Sequence, residues 1–397
     1  MDRSHIIAET SLRVLQIIPK LDGGGAEAAT LEITRALKIK GHDAFIASEG
    51  GRLEREIKQA GGEIFHLPVA SKNPLTIWRN IRRLKKLCRA MNVNLIHARS
   101  RAPAWSAYFA ARQLGIAFIT TYHSKVHAKP KAKVFYNAIM TRGAAVIANS
   151  RYTASQIAQI HKTPQDKIHI VPRGCDADYF NPENITQAER AALRAQWQAD
   201  EDTFVVLCPA RLTAWKGQDL LIEAFGDLMV AEPRTKAKLV LVGDAQGRTV
   251  YQKHLENRIT EIGLTNRVIF TGHVTNMPQV YAAADITVLP SRKPEPFGRT
   301  AIEAQAAGCP VIASDEGGFC ETVLTEAEGA AHGWRVPANR LDALTQALQE
   351  ALHTPQAERV EKGQKARQFI ATTFTLDNMC AQTINIYQLV MKNHVAS

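Results

Sequence analysis

Arg13-Val-Leu-Gln-Ile-Ile18 is a short apolar, β-branched run, and Asp22-Gly-Gly-Gly-Ala-Glu27 follows it into a helical pattern over 26–40. A buried strand that passes through a glycine-rich turn into a helix is the repeating unit of a parallel α/β sheet. The unit recurs along the first half. Ala44-Phe-Ile-Ala47, Leu95-Ile96, Ala117-Phe-Ile-Thr120 and Ala145-Val-Ile-Ala148 read as strands, and 75–91 and 103–113 as helices between them. It recurs again at Phe204-Val-Val-Leu-Cys208, Leu239-Val-Leu-Val242, Val268-Ile-Phe270, Ile286-Thr-Val-Leu289 and Pro310-Val-Ile-Ala313. A turn-rich stretch at 172–182 separates the two series. The reading is an α/β protein with two doubly wound parallel sheets, a first domain over 1–180, a second over 181–375, and a helical closing segment over 376–397 that packs back on the first. A ligand is expected in the cleft between the domains, beyond the carboxyl ends of the strands.

A chain of 397 residues, 45% hydrophobic and 22% charged, has enough apolar surface for such cores. No run approaches the roughly 20 apolar residues needed to span a bilayer. The first eleven residues contain Asp2, Arg3 and Glu9 and carry no signal-peptide pattern. Six cysteines without metal-like spacing fit a reducing cytoplasm, and no metal site is expected. The net charge of +11 is unevenly placed: 28 basic and 13 acidic residues lie in 1–180, against 21 and 25 in the remainder. Such a basic half either attracts an anionic partner or is a solvated face.

Four loops at strand ends carry candidate chemistry. Gly24 and Gly25 open the first helix, where backbone N–H groups can meet an anion; the contiguous glycines match neither GxGxxG nor a Walker loop, and a plain tight turn is the alternative. Arg211 and Lys216, after the first strand of the second half, are placed to clamp a diphosphate or to sit as surface cations. Glu295-Pro-Phe-Gly-Arg-Thr-Ala-Ile-Glu303 sets two carboxylates around a glycine at a helix start. Gly298, Arg299 and Thr300 would offer amides to a phosphate, and the carboxylates would accept sugar hydroxyls; a capped amphipathic helix is the plainer reading. His123, in Thr120-Thr-Tyr-His-Ser124, stands at a strand end as a catalytic or a structural histidine.

Together these stretches resemble the retaining GT-B glycosyltransferases of glycosyltransferase family 4, from Val14 to about Tyr387. The resemblance rests on Gly24–Glu27, Ile96-His97, Thr121-Tyr-His123, Val171-Pro-Arg-Gly174, Arg211 with Lys216-Gly217, Gly272-His-Val274, Gly317-Gly318 and, most specifically, the E-x7-E element Glu295–Glu303. It implies a retaining, metal-independent hexosyltransferase with two Rossmann-like domains facing across a cleft, the first binding the acceptor and the second a UDP- or GDP-sugar. The donor is a substrate, so no cofactor is implied. Arg211 and Lys216 would hold the diphosphate, Glu295 the transferred sugar and Glu303 the ribose. Phe297, Gly298, Arg299 and Thr300 would line the donor, with backbone near Val274 at the base. Gly24 and Gly25 would close over the diphosphate and the acceptor, and His123 would meet the transferred sugar. Retention by same-face attack, with the leaving phosphate as base, leaves no protein nucleophile to assign. Ser124, Arg173 and Arg299 depart from the family pattern.

The resemblance also implies a lipid-linked, lipopolysaccharide-core or polysaccharide acceptor and a cytoplasmic protein peripheral to the inner membrane face. The basic helix Trp78-Arg-Asn-Ile-Arg-Arg-Leu-Lys-Lys-Leu-Cys-Arg89 suits anionic lipid, although its apolar stripe also suits packing on a sheet. A glycogen-synthase-like polymerase or a nucleotide-sugar epimerase on the same architecture is the runner-up. Nucleic acid is not expected, since no recognised binding motif accompanies the charge.

Overall fold

A computed structural model describes residues 11–22, 24–123, 126, 128–247, 249–330 and 332–395. The chain divides into two compact units: the first runs to Arg173 and takes in the stretch from Leu376 onward, and the second is Gly174–Thr375.

Among the described residues the first unit holds one seven-stranded sheet. In chain order its strands are β1 (Arg13–Ile17), β2 (Asp43–Ser48), β3 (Glu63–His66), β4 (Leu95–Ala98), β5 (Ala117–Tyr122), β6 (Ala145–Ala148) and β7 (Ile168–Ile170), and in space they run β3-β2-β1-β4-β5-β6-β7. Every neighbouring pair is parallel. Both faces of the central strands are covered, so most of their successive residues are apolar, with Gln16, His97, Thr120 and Thr121 buried among them. Leu15 and Ile17 point into one core with Phe45 and Ile96, while Val14 points into the other with Ile33, Ile384 and Tyr387. Helix Leu376–Val395 therefore belongs to this unit, and Tyr387 Oη lies 2.7 Å from His97 Nδ1.

The second unit holds a six-stranded parallel sheet of β8 (Phe204–Pro209), β9 (Ala237–Val242), β10 (Val268–Gly272), β11 (Ile286–Leu289), β12 (Val311–Ser314) and β13 (Gly333–Val336), ordered β10-β9-β8-β11-β12-β13. Phe204, Val206 and Cys208 face one core, and Val205 and Leu207 the other. In each sheet the strand order reverses beside the first strand of the unit, at β1/β4 and at β8/β11. Chains leave opposite faces there and open a crevice at the carboxyl ends of those strands.

The sequence expectation of a boundary at 180 is corrected to Arg173. The Cys175 amide donates to the Phe374 carbonyl at 2.7 Å, and Phe180 is buried beside Tyr281, ring centroids 6.0 Å apart. The anchors of 175–180 are thus in the second core. The helix expected over 373–392 is also interrupted: helix Gln356–Thr373 ends, Thr375 bridges Cys175, and a new helix starts at Leu376. In the basic helix, Pro74–Ala90, Leu84 and Cys88 are buried and Asn80 is anchored to the Pro68 carbonyl at 2.9 Å. Arg79, Arg82, Arg83, Lys86 and Arg89 are exposed, with Arg82 stacked 3.6 Å over the half-exposed Trp78 ring.

Candidate functional site

Two groups of residues stand at the two crevices, one in each unit.

In the second unit, β8 delivers the chain into Arg211–Lys216. Gly217 ends this loop with φ 76°, and a Cβ there would lie 2.0 Å from the Pro290 carbonyl oxygen. Only glycine lets the loop press against the end of β11. Buried Gln218 braces the loop from behind, donating from Nε2 to the Arg211 carbonyl at 2.9 Å. Lys216 is thereby brought to Glu295, and its ammonium bonds Glu295 Oε1. Ser291 Oγ donates to the same oxygen at 3.0 Å, and Lys216 Nζ sits 4.5 Å over the Trp215 ring. The side chains of Lys216 and Glu295 are 18% and 9% exposed, so each charge depends on the other. Arg211 stands outside this pair. It is exposed, and its Nη1 reaches Gln246 Oε1 at 3.5 Å.

The 295–303 segment is held by Gly317 and Gly318. The Gly318 amide donates to the Glu295 carbonyl at 2.8 Å, and a Cβ on Gly318 would come within 2.3 Å of Phe297 Cα. Gly298, at φ 98°, starts helix Arg299–Ala306 with no side-chain cap. The first turn of a helix has amides with no carbonyl four residues back, so this is a place for an oxyanion. Thr300 is half-buried on that turn. The Arg299 side chain is 38% exposed, and its Nε donates to Glu303 Oε1 at 2.7 Å. Tyr281 Oη donates to Glu303 Oε2 at 3.5 Å, and burial with the Glu303 charge pushes the Tyr281 hydroxyl pKa up. The Phe297 ring is core, packed on Phe374 at 5.6 Å, so only its backbone is left to meet a ligand. Val274 follows β10 half-buried.

In the first unit, a cavity of about 210 Å³ lies at the β1/β4 crevice, lined by Ile18, Glu27, Arg99, Arg101, Thr121 and His123 among others. Gly24 and Gly25 are exposed at the start of helix Gly25–Ile39. His123 follows β5, and Arg173 donates to its Nδ1. Burial, then the guanidiniums of Arg173 and Arg99, hold the His123 pKa well below the usual histidine value. His97 is fully buried between Tyr387 Oη and Thr121 Oγ1, both at 2.7 Å, and burial keeps it neutral too. Residue 124 lies outside the described residues, as does Gly23.

Sequence reasoning overlooked Ser291, Tyr281, Gln218 and Arg99. Ser291 sits four residues before Glu295, and Arg99 just beyond β4, positions that a strand-end scan reaches; Tyr281 and Gln218 give no comparable signal.

The family of group 1 glycosyl transferases matches residues 189–369 and glycosyltransferase family 4 matches 23–179. A glycosyltransferase crystal structure from Rickettsia africae ESF-5 is 31% identical and superposes with a TM-score of 0.86, covering 97% of this chain and 100% of that one. A D-inositol 3-phosphate glycosyltransferase from Xylanimonas cellulosilytica is 26% identical over 412 residues, 94% of each chain. Anabaena HepE, solved in complex with UDP, is 22% identical with a TM-score of 0.81 over 95% of this chain and 100% of its own, a likeness of fold. The two Rossmann-like sheets are those of the GT-B glycosyltransferases, and the chain belongs to glycosyltransferase family 4.

Proposed function

We propose that this protein is a retaining, metal-independent hexosyltransferase that moves a sugar from a UDP- or GDP-sugar to a lipid-linked, lipopolysaccharide-core or polysaccharide acceptor. The observation that carries the reading is the Lys216–Glu295 pair, set against a loop whose Gly298 opens a helix. Lys216 and Arg211 neutralise the diphosphate as charge builds on the departing nucleotide, a task a divalent ion performs elsewhere. The amides of Gly298 to Thr300 take phosphate oxygens, and Phe297 contributes backbone alone. Glu295, steadied by Lys216 and Ser291, accepts from hydroxyls of the transferred sugar. Glu303, oriented by Arg299 and Tyr281, accepts from the ribose, and backbone at Val274 meets the base. Gly24, Gly25 and His123 serve the transferred sugar and the acceptor.

Both carboxylates are engaged by cations, which suits hydrogen-bond acceptors better than a nucleophile. As the family resemblance implies, the acceptor attacks on the same face and the leaving phosphate takes its proton. Among the described residues no helix is long and apolar enough to cross a membrane. The exposed basic face of helix Pro74–Ala90, with Trp78 and Leu75 exposed beside it, supports peripheral attachment to anionic lipid.

A thermal-shift panel of UDP-, GDP- and ADP-sugars with and without EDTA tests the donor, since a ligand of the native state raises stability by mass action. A shift with one nucleotide class, unchanged by EDTA and lost in Lys216→Ala, is expected. A shift that requires a divalent ion overturns metal independence. The anomeric coupling constant of the product by NMR tests retention.

A further inference from the structure

In the second unit the connections after β8, β9, β11, β12 and β13 meet around one ion pair, Asp219–Arg292. Arg292 follows β11, three residues before Glu295, and Asp219 lies in the first turn of helix Gln218–Ala231, three residues after Lys216. The guanidinium grips the carboxylate with two arms: Nε donates to Asp219 Oδ1 at 3.2 Å and Nη2 to Oδ2 at 2.7 Å. Its Nη1 donates to Asn339 Oδ1 at 3.0 Å, beyond β13, and Asn339 Nδ2 donates back to the Arg292 carbonyl at 3.2 Å. The Arg292 amide donates to the Trp215 carbonyl at 2.8 Å, which ties the backbone beside Lys216 to the backbone beside Ser291. Ser314 Oγ, at the end of β12, donates to the Ser291 carbonyl at 2.8 Å. On the other side of the pair, Tyr251 Oη, from the helix after β9, lies 3.3 Å from Asp219 Oδ1 and 3.4 Å from Gln218 Oε1.

The Arg292 and Asp219 side chains are 32% and 27% exposed, and an isolated ion pair so placed adds little stability. Its geometry is the informative part. A two-armed bond between arginine and a carboxylate fixes angle as well as distance, and this one joins the two segments that carry Lys216 and Glu295. A lysine is a point charge on a flexible stem, so the backbone beneath it decides where its ammonium stands. That backbone is held from above by the Trp215 carbonyl and from behind by Asp219 and Gln218, whose Nε2 donates to the Arg211 carbonyl at 2.9 Å. Arg292 makes the first of these bonds with its amide and the second with its side chain.

We propose that Arg292 is a positioning residue for sugar transfer: its two-armed bond to Asp219 and its amide bond to Trp215 set the loop that seats Lys216 beside Glu295, where the ammonium meets the donor diphosphate. This rests on the reading that Lys216 serves the diphosphate, and the test separates failure of that reading from failure of this one.

The full chain is acylated with an amine-reactive ester well below its Tm, with and without saturating UDP or GDP. The rate at Lys216 is read by peptide mass spectrometry against Lys236 and Lys362, whose side chains are 61% and 12% exposed. In the wild type Lys216 should react at least fivefold more slowly than Lys236, and more slowly again with nucleotide bound. Arg292→Lys keeps the charge and loses the fork. In it Lys216 should react at least threefold faster than in the wild type, with Lys236 and Lys362 unchanged. Nucleotide affinity should stay within threefold of the wild type, since Glu303 and the Gly298 to Thr300 amides lie outside the network, while protection of Lys216 by nucleotide falls at least threefold. A role in stability alone lowers Tm and leaves both Lys216 rates as they were, which would overturn the proposal. So would a rise shared by Lys362, which reports general loosening, or a faster Lys216 that nucleotide still protects in full. A wild-type Lys216 protected by neither nucleotide would sink the diphosphate reading, and the rates without nucleotide would then decide the positioning alone. If Arg292→Lys does not fold, Asp219→Asn takes its place with the same expectations.

Discussion

Replacing Lys216 by Met removes a charge while keeping most of the side-chain volume, and the structure gives the cost. Among the described residues Glu295 would keep only the Ser291 hydroxyl at 3.0 Å as a side-chain donor, with its own side chain 9% exposed. Breaking a fully buried ion pair by deleting one partner costs about 3–5 kcal/mol, because the remaining charge is stranded. Lys216 is 18% exposed, so water would reach part of the gap and about 2–3 kcal/mol is the better figure for this pair. For a unit of roughly 200 residues, 1 kcal/mol shifts Tm by about 2–4 °C, so the unfolding transition of the second unit should fall by about 5–10 °C. Glu295→Gln in the same chain removes the stranded charge, and Lys216→Met/Glu295→Gln should recover more than half of the loss. Activity should not follow. If Lys216 meets the departing diphosphate, both variants lose about 10²–10³ in turnover, the cost of one transition-state donor. Differential scanning calorimetry and initial rates on the same preparations separate the two effects. A Lys216→Met protein as stable as wild type would refute the buried-pair argument. A double variant that regains activity together with stability would show that Lys216 only supports the fold.

Gly217→Ala places a Cβ 2.0 Å from the Pro290 carbonyl oxygen at φ 76°, so a loss of at least ~1 kcal/mol in chemical denaturation is expected, with turnover falling as Lys216 is displaced. Arg299→Met releases Glu303 from its 2.7 Å partner. If Arg299 orients Glu303, nucleotide affinity should fall several-fold with kcat little changed; an unchanged affinity would remove Arg299 from the site. His97 and His123 are held neutral in the folded chain by burial. The unfolded chain then binds more protons below about pH 6.5, so stability should be lost as pH falls from there, by up to about 1.4 kcal/mol per pH unit for each histidine. Denaturation at pH 7.5, 6.5 and 5.5 should show the decline, and His123→Asn should flatten it. Changing Arg82, Arg83 and Lys86 to Glu should abolish sedimentation with anionic vesicles and leave sedimentation with neutral ones unaltered, and retention on anionic vesicles would refute the membrane role of this face.

The strands visible in the sequence are those buried on both faces. Val14, Leu95, Val146, Val206 and Ile312 sit in continuous apolar runs because helices cover both sides of each sheet. The strands that escaped notice are β3, β7 and β13, each at a sheet edge and each partly exposed. Glu63-Ile-Phe-His66 has only two apolar residues between polar ones and Ile168-His-Ile170 alternates over three, spans too short to stand out from a loop. The boundary shifted for a related reason: 175–180 reads as turn, yet its two anchors, Cys175 and Phe180, bind partners distant in sequence, Phe374 and Tyr281.

The site shows the same division between local and distant information. Gly217, Gly298 and Gly317 are legible as turn residues, each at positive φ, although the close approaches of Gly217 to Pro290 and of Gly318 to Phe297 are not local. The partnerships that give the charged residues their chemistry are another matter. Glu295 pairs with a lysine 79 positions earlier, and Arg99 hangs from a glutamine 83 positions earlier. Arg299 illustrates the limit of spacing alone. An arginine four residues before a glutamate on a helix is a pairing pattern open to inspection, but phosphate, solvent or glutamate can each satisfy it. In the folded chain the glutamate takes the Arg299 Nε, because the Glu303 side chain is only 17% exposed and needs a cation, while the arginine side chain stays 38% exposed. The tautomer of His123 also follows from a distant connection, because the arginine that fixes it stands 50 positions later. A guanidinium only donates, so Nδ1 must accept. Arg173 therefore fixes the proton of His123 on Nε2.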